Sequence, residues 1–401
     1  MHPDFNAMTS ARFREDPWPV LAHMREHHPV AHLAPGLVES WHIFRQGDVM
    51  AVLNDTETFS SNRALQSASV ADANLGFLFN NLISASGDKH RRLRMIGNRA
   101  FLPRFVEALR PALEAVVEDR MAMALGGQPF DMVEEFAAPI TVAMIAGILG
   151  LPRSDMPMIR RWTAVLGDNS GASTWLDAPD PAMAERGRAT GLEMTGYFRD
   201  FLARPLPEGS ILAALQAVEV DGQRLDPDEV LSMAMLLLLA GNETTTNLIT
   251  NFVRMLDAHP DAAARLRQNP ERADNAVEEL LRMRSSIRNI DRFATRDVAM
   301  HGVTIPAGGL VVVWLSAANR DPEVFDAPDD FRPERHPNPH LAFGHGLYLP
   351  WHGAGADGNP AGGRADFAPD GGGGASGTGR TDRECQFRQR DAPDGAVPEA
   401  A

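Results

Sequence analysis

The sequence predicts a mainly α protein with small β portions near its two ends (an α+β chain), arranged around one long central helix. Three observations carry that prediction. Residues 1–350 are dense in apolar segments repeating every 3.6 residues. The longest of them, 227–257, turns apolar all round at Met235–Leu239, as a helix buried in the centre of a molecule must. From Phe293 to Leu315 the texture changes to short β-type runs broken at His301-Gly302 and at Pro306-Ala-Gly-Gly.

Taken in order, Pro17 to His28 reads as a short helix. Val30–Leu33 and Leu37–Phe44, separated by Ala-Pro-Gly, read as a hairpin. Helical periodicity then covers 88–99, 105–125, 134–149, 155–166, 182–203, 227–257 and 271–285. The long helix opens on Asp226-Pro227. The Asp side chain can accept from first-turn amides, and the missing proline N–H costs nothing at that position.

Composition narrows the function classes. A chain of 401 residues buries about three quarters of its unfolded surface, so it needs neither disulfides nor metals to hold a core. The single cysteine, Cys385, excludes a disulfide framework and a Cys-rich zinc site. The net charge of −15, from 38 basic and 53 acidic residues, argues against nucleic acid or an anionic membrane as the main partner. The first residues carry no basic-then-apolar signal. The longest uninterrupted apolar stretch, Met233–Ala240, is far short of the ~20 residues that span a bilayer. The expectation is a soluble, cytoplasmic, monomeric protein.

Near Leu347 the composition breaks. Residues 353–401 contain no Leu or Ile, and 12 of those 49 are Gly. Such a segment cannot bury enough apolar area to offset chain entropy, and it is expected to be disordered.

Three clusters upstream carry chemistry. Ala240-Gly241-Asn242-Glu243-Thr244-Thr245 puts an acid and hydroxyls in the middle of the apolar helix, where they are costly unless bonded or functional. A threonine there can bond back to the carbonyl four residues earlier, and a glycine admits a close neighbour. A kinked core helix with a satisfied polar patch is the plain alternative. Glu279 and Arg282 stand at i, i+3, which taken alone is an ordinary surface pair. His90 and Arg94 stand at i, i+4 and together can grip an anionic group; a solvated basic helix end is the alternative.

The combination says more than its parts. Asp88-x-His90-x3-Arg94 is followed by Ala240-Gly-Asn-Glu-Thr-Thr, Glu279-x2-Arg282 and Arg292. Ala318-Asn-Arg-Asp-Pro322, Phe331-x3-Arg335 and His340-Leu-Ala-Phe-Gly-His-Gly346 come next. In order and spacing this resembles a bacterial cytochrome P-450, a haem-thiolate monooxygenase, from about Asp4 to Gly346. The resemblance implies the P-450 fold and haem b as cofactor. It implies His90, Arg94 and Arg292 on the haem propionates, and Ala240, Gly241, Phe343 and His345 beside the haem. Glu243 and Thr244 would relay protons to dioxygen. Glu279, Arg282 and Arg335 would form a buried charge triad, which revises the surface reading of the first two. It also implies O2 as co-substrate and electrons from a ferredoxin and a ferredoxin reductase. Phe77, Phe79, Ile287 and Ile290 suggest a pocket for an apolar small molecule, with a lean towards a terpenoid or another secondary metabolite; ordinary core packing of each is the alternative.

The pattern then fails. The family continues Phe-Gly-x-Gly-x-His-x-Cys-x-Gly, with the Cys thiolate on the iron. Here Phe343-Gly344-His345-Gly346 is intact, but Tyr348 stands at the His position and Pro350 at the Cys position. Codons can be written for Leu349 to Pro360 that, read one base later, give C-L-G-M-A-L-A-R-M-E-I, the kind of text expected after the ligand. The shifted Gly is forced by Trp351-His352, whereas the Cys requires a Leu349 codon ending in G. A two-base loss thus accounts together for the missing His, the missing Cys and the Gly-rich tail. Residues 1–350 are then one incomplete domain and 351–401 an out-of-frame tail, as in a pseudogene or a misread gene. The alternatives are a haem-free helical protein and a haem protein with Tyr348, His345 or His352 as axial ligand.

Overall fold

The computed structural model describes Met8, Phe13 and residues 15–33, 39–62, 81–100, 103–170 and 180–345. In chain order the elements are α1 (Trp18–His27), β1 (Val30–Leu33), β2 (Ser40–Ile43), α2 (Gln46–Asn54), β3 (Phe59–Ser60), α3 (Gly87–Ala100) and α4 (Pro103–Leu125). A π-helical turn (Met132–Ala137) leads into α5 (Ala138–Leu149). Then come α6 (Met156–Ser170), α7 (Pro181–Leu202), α8 (Ile211–Ala217), α9 (Pro227–Ala258), α10 (Pro260–Gln268) and α11 (Ala273–Met283). The chain closes with β4 (Ile290–Ala294), β5 (Val298–Met300), β6 (Val303–Ile305), β7 (Leu310–Val313) and α12 (Leu315–Ala318).

The expected mainly α architecture is present, and the seven expected long helices match α3 to α7, α9 and α11 within a few residues. Periodicity missed α2, α8, α10 and α12, all of nine residues or fewer, where too few turns exist for a pattern. The two β portions join into one sheet of order β1-β2-β7-β4-β3, in which β2 and β7 pair in parallel with Trp41 opposite Val311. Strands β5 and β6 form a separate ribbon.

The largest core cluster sits where α5, α6, α7 and α8 meet the first half of α9, around Trp162, Phe198, Met233 and Leu238. Helix α9 begins with a capping box. Asp226 accepts from the Glu229 amide at 2.7 Å, and the Glu229 side chain accepts from the Asp226 amide at 3.1 Å. Helix α5 ends at Gly150 in the left-handed region (φ +77), where a Cβ would come within 2.6 Å of Ser210 Cβ, so only glycine fits. One stretch among the described residues, Met132–Leu149, is long and apolar enough by length and composition to cross a membrane, with a mean hydropathy of 1.7. The longest uninterrupted apolar run, Met233–Ala240, lies instead in α9. Half of the Met132–Leu149 stretch is buried, and it packs on α4 and α9.

Candidate functional site

The middle of α9 has two unlike faces. On one, Asn242 and Thr246 are buried against Thr141 of α5, whose fully buried hydroxyl lies 2.9 Å from Asn242 Oδ1 and 2.7 Å from Thr246 Oγ1. This clasp fixes the rotation of α9. On the other face, Ala240 is exposed although it follows Leu237 and Leu238 of the core, and Glu243 and Thr244 beside it are half-buried. The helix is therefore open on this side at Ala240. Thr244 Oγ1 donates to the Ala240 carbonyl at 2.6 Å, the i−4 back-bond open to a mid-helix threonine. The Thr244 carbonyl in turn accepts from Ser286 Oγ at 2.7 Å. Gly241 departs from expectation. Its missing side chain faces α5, where a Cβ would lie 2.9 Å from Ile145 Cδ1. It lets two helices approach, and Ala240 is the exposed residue of this stretch.

A basic cluster lies between α3 and β4. His90 and Arg292 are buried, and Arg94 follows His90 by one turn. Burial, then the charges of Arg94, Arg292 and Arg91, lower the His90 pKa to about 4. Burial likewise holds Arg94 below its ordinary value. Arg292 Nη1 donates to the Asp291 carbonyl at 2.8 Å. The imidazole is thus neutral at pH 7 while guanidiniums from two elements bear on it, a donor set suited to a group with carboxylates.

Glu279, Arg282 and Arg335 meet in the interior. Arg282 donates Nε to Glu279 Oε2 at 2.8 Å and Nη2 to Oε1 at 2.9 Å, and both side chains are fully buried. Arg335 Nε lies 3.0 Å and 3.1 Å from the two carboxylate oxygens. The Arg332 amide and Asn338 Nδ2 also donate to the carboxylate. Burial pushes the Glu279 carboxyl up, but the bonds and charge of Arg282, then the Arg332 amide and Arg335, outweigh it and leave its pKa below the ordinary value.

The segment entering the Phe343 loop is tied residue by residue. The Pro339 carbonyl accepts from Gln46 Nε2, and His340 Nε2 bonds Glu278 at 2.7 Å. The Leu341 amide donates to Asn319 Oδ1 at 2.6 Å, and the Ala342 carbonyl accepts from Ser285 Oγ at 3.3 Å. Asn319 also offers its carbonyl to Arg282 Nη1, which explains its place in the Ala318–Pro322 motif. Phe343 and Ile287 are about two-fifths exposed, at 39% and 41%. Ile290 is half-buried, with Cδ1 3.4 Å from where a Gly344 Cβ would stand. His345 is half-buried and is the last described residue. Phe77, Phe79, Tyr348, Pro350, His352 and Cys385, together with the expected tail disorder, lie outside the described residues.

Sequence reasoning missed Thr141, Ser286 and the clasp role of Thr246. Lone hydroxyls in apolar or irregular text give no signal until a distant element arrives beside them.

The comparisons agree with this architecture. The Cytochrome P450 family profile matches residues 207–350. The chain is 37% identical over 339 residues to the erythromycin C-12 hydroxylase of Saccharopolyspora erythraea, covering 82% of this chain and 80% of that protein. It is 34% identical over 342 residues to cytochrome P450 109 of Bacillus spizizenii, covering 85% of this chain and 80% of the relative. Among solved structures, P450BioI, determined in complex with an acyl carrier protein bearing hexadec-9Z-enoic acid, superposes with a TM-score of 0.77. The identity is 30%, with 85% of this chain and 87% of that chain covered. Fold and sequence together define a haem-dependent monooxygenase class. The chain belongs to the cytochrome P450 family.

The family carries haem, and the described residues fit it on two sides. The buried basic cluster suits the two propionates, and the exposed Ala240 leaves room against α9. The axial side does not fit. Pro350 has no donor atom, and the only cysteine, Cys385, lies among Arg, Asp and Gln outside the ligand motif.

Proposed function

We propose that this chain derives from a gene for a monooxygenase that hydroxylates an apolar small molecule with O2, fed with electrons by a ferredoxin and its NAD(P)H-dependent reductase. We propose also that the chain as it stands has lost that activity through a two-base deletion near codon 348. The observation that carries the first part is the exposed Ala240 with the Thr244 hydroxyl bonded back to its carbonyl, just past the buried first half of α9. Haem held by a thiolate supplies dioxygen activation when bound. His90, Arg94 and Arg292 would hold its propionates. The Thr244 hydroxyl, anchored on the Ala240 carbonyl, keeps lone pairs for an incoming donor, and the half-exposed Glu243 can exchange protons with solvent, so the pair can pass protons along this face of α9. The exposed Ile287, the half-buried Ile290 and the relatives' names, among them a cyclomarin C epoxidase, support an apolar secondary metabolite as substrate.

The second part is supported by where the family match stops, at residue 350, and by composition beyond it. Residues 1–350 then form one incomplete P450 domain, followed by an out-of-frame tail. The test is the absorption spectrum of the full chain with added haem, reduced under CO. No thiolate-type band is expected here, and such a band is expected once the frame is restored. A thiolate band from the chain as it stands refutes the proposal. Sequencing codons 345–352 decides the frame, since a Leu349 codon not ending in G removes the Cys.

A further inference from the structure

Helix α1 packs against α12, and between them lies a cavity of about 330 Å³ that shares no residue with the haem side described above. Small-molecule sites begin at about this size, roughly 300–1,000 Å³. The walls are of two kinds. Pro19, Leu21, Ala22 and Ala317 are apolar, and Leu21 and Ala317 belong to a buried core cluster. Trp18, Arg25 and Arg320 supply N–H donors, with the exposed Asp16 and Asp329 beside them. The donors are unevenly satisfied. Buried Arg320 pairs with Asp329 at 2.6 Å and donates Nη2 to the Met283 carbonyl at 3.2 Å. Its guanidinium lies over the Trp18 ring, 3.8 Å from the centroid, and Arg284 stands over the same ring at 5.2 Å, which fixes the indole as a wall. Arg320 Nε and Trp18 Nε1 are nevertheless buried without a hydrogen-bond partner, a costly condition that an incoming acceptor relieves. Half-buried Arg25 donates Nη1 to the Ala317 carbonyl at 2.9 Å and makes no ion pair among the described residues. Burial outweighs the charges of Asp321, Asp329 and Glu26 and holds its pKa below the ordinary value. The Asp321 carboxylate is already bonded to the Gln46 and Glu323 amides.

We propose that this cavity binds a small apolar molecule bearing one carboxylate, with Arg25 as the residue that holds the charge. A guanidinium is planar and bonds a carboxylate through two parallel N–H groups. Arg25 is the one cation of the lining without an ion-pair partner, so the site takes a single negative charge. A phosphate dianion would face Asp16 and Asp329 with no second unpaired cation in the lining. An ammonium would gain little, because both acids are exposed and Arg320 and Arg284 already stand beside them. The apolar walls favour a hydrocarbon body, since a second polar group buried there would lose its water without a partner. The inference is independent of the haem and frame readings, because every residue it uses lies in α1, α12 or the segment up to Asp329.

The test is a ligand-observed NMR titration of the full chain with 3-phenylpropionate, run beside 3-phenylpropylamine, 3-phenylpropanol and inorganic phosphate. The carboxylate should bind with a Kd of about 1 mM or tighter, as its size allows, and the other three about tenfold more weakly or worse. Arg25→Gln removes the charge and should weaken 3-phenylpropionate by about tenfold or more. Ala22→Trp keeps Arg25 but fills the cavity, and it should abolish binding. Unchanged urea midpoints verify that each variant is folded, and if one fails that check the other decides. The comparison of carboxylate, amine and alcohol on the parent chain needs neither variant. No binding of 3-phenylpropionate at about 10 mM overturns the proposal. Equal binding of the amine or the alcohol, tighter binding of phosphate, or undiminished binding in a folded variant overturns it as well.

Discussion

Replacing Glu279 by Gln is the most direct probe of what holds the interior of this protein together. The side-chain volume is kept, but the charge is lost and one acceptor oxygen becomes a donor. Glu279 accepts from Arg282 Nε and Nη2, Arg335 Nε, the Arg332 amide and Asn338 Nδ2, so an NH2 at either oxygen confronts at least one N–H head-on. Arg282 is fully buried and would be left without its counter-charge. Breaking a buried pair from one side costs about 3–5 kcal/mol, against a typical total of about 5–15 kcal/mol. The assay is urea unfolding followed by tryptophan fluorescence, on this chain and on the frame-restored one. Arg332→Ala is the control. Arg332 reaches Glu279 through its backbone amide while its side chain pairs with exposed Asp326 and Asp330, so it should cost about 1 kcal/mol or less. The folded pKa of Glu279 is depressed, so its contribution is present above the unfolded carboxylate range and is lost as pH falls below it. The gap between Glu279→Gln and the parent should therefore narrow below about pH 4. Equal urea midpoints at pH 7 for parent and Glu279→Gln would refute the reasoning.

Thr244→Ala in the frame-restored protein should leave haem binding intact but uncouple electron use from product, because proton delivery by a positioned group is worth about 10²–10⁴-fold. Unchanged product per NAD(P)H removes Thr244 from the relay. Arg94→Ala in the same protein should lower haem stoichiometry by removing a charge-assisted partner of a propionate. Unchanged haem content and melting temperature would make it a solvated helix residue. The His90 pKa falls from 6.5 to about 4 on folding, so the unfolded state binds more protons between those values and stability should drop as pH falls through that window. His90→Gln should flatten that drop. Metal-free protoporphyrin, whose carboxylates favour the imidazolium, should bind with proton uptake near pH 5, and calorimetry in buffers of different ionisation enthalpy reads that uptake directly.

The longer local features of this protein are legible in its sequence, whereas the short helices α2, α8, α10 and α12 are not. The 3.6-residue repeats of α3 to α7, α9 and α11, the Asp226-Pro227 start of the central helix and the order of the Glu279, Arg292 and Phe343 motifs are each set by neighbours within a few turns. Short-range sterics and hydrogen bonding decide them before any distant contact forms. The break after Gly346 was equally plain, because composition alone decides whether a segment can bury apolar area. Environments set by distant chain appeared only in the tertiary structure. Spacing alone makes Glu279 and Arg282 a surface pair and the resemblance makes them a buried triad with Arg335, but the Arg332 amide, Asn338 and the Asn319 carbonyl that complete the triad's bonding appear only in the tertiary structure. Gly241 looks like room for a ligand until Ile145 of α5 occupies that side. The β portions at the two ends become one sheet only when Trp41 lies opposite Val311. A helical pattern implies a covered apolar face, yet burial belongs to pairs of elements, and one helix alone does not contain the identity of its partner.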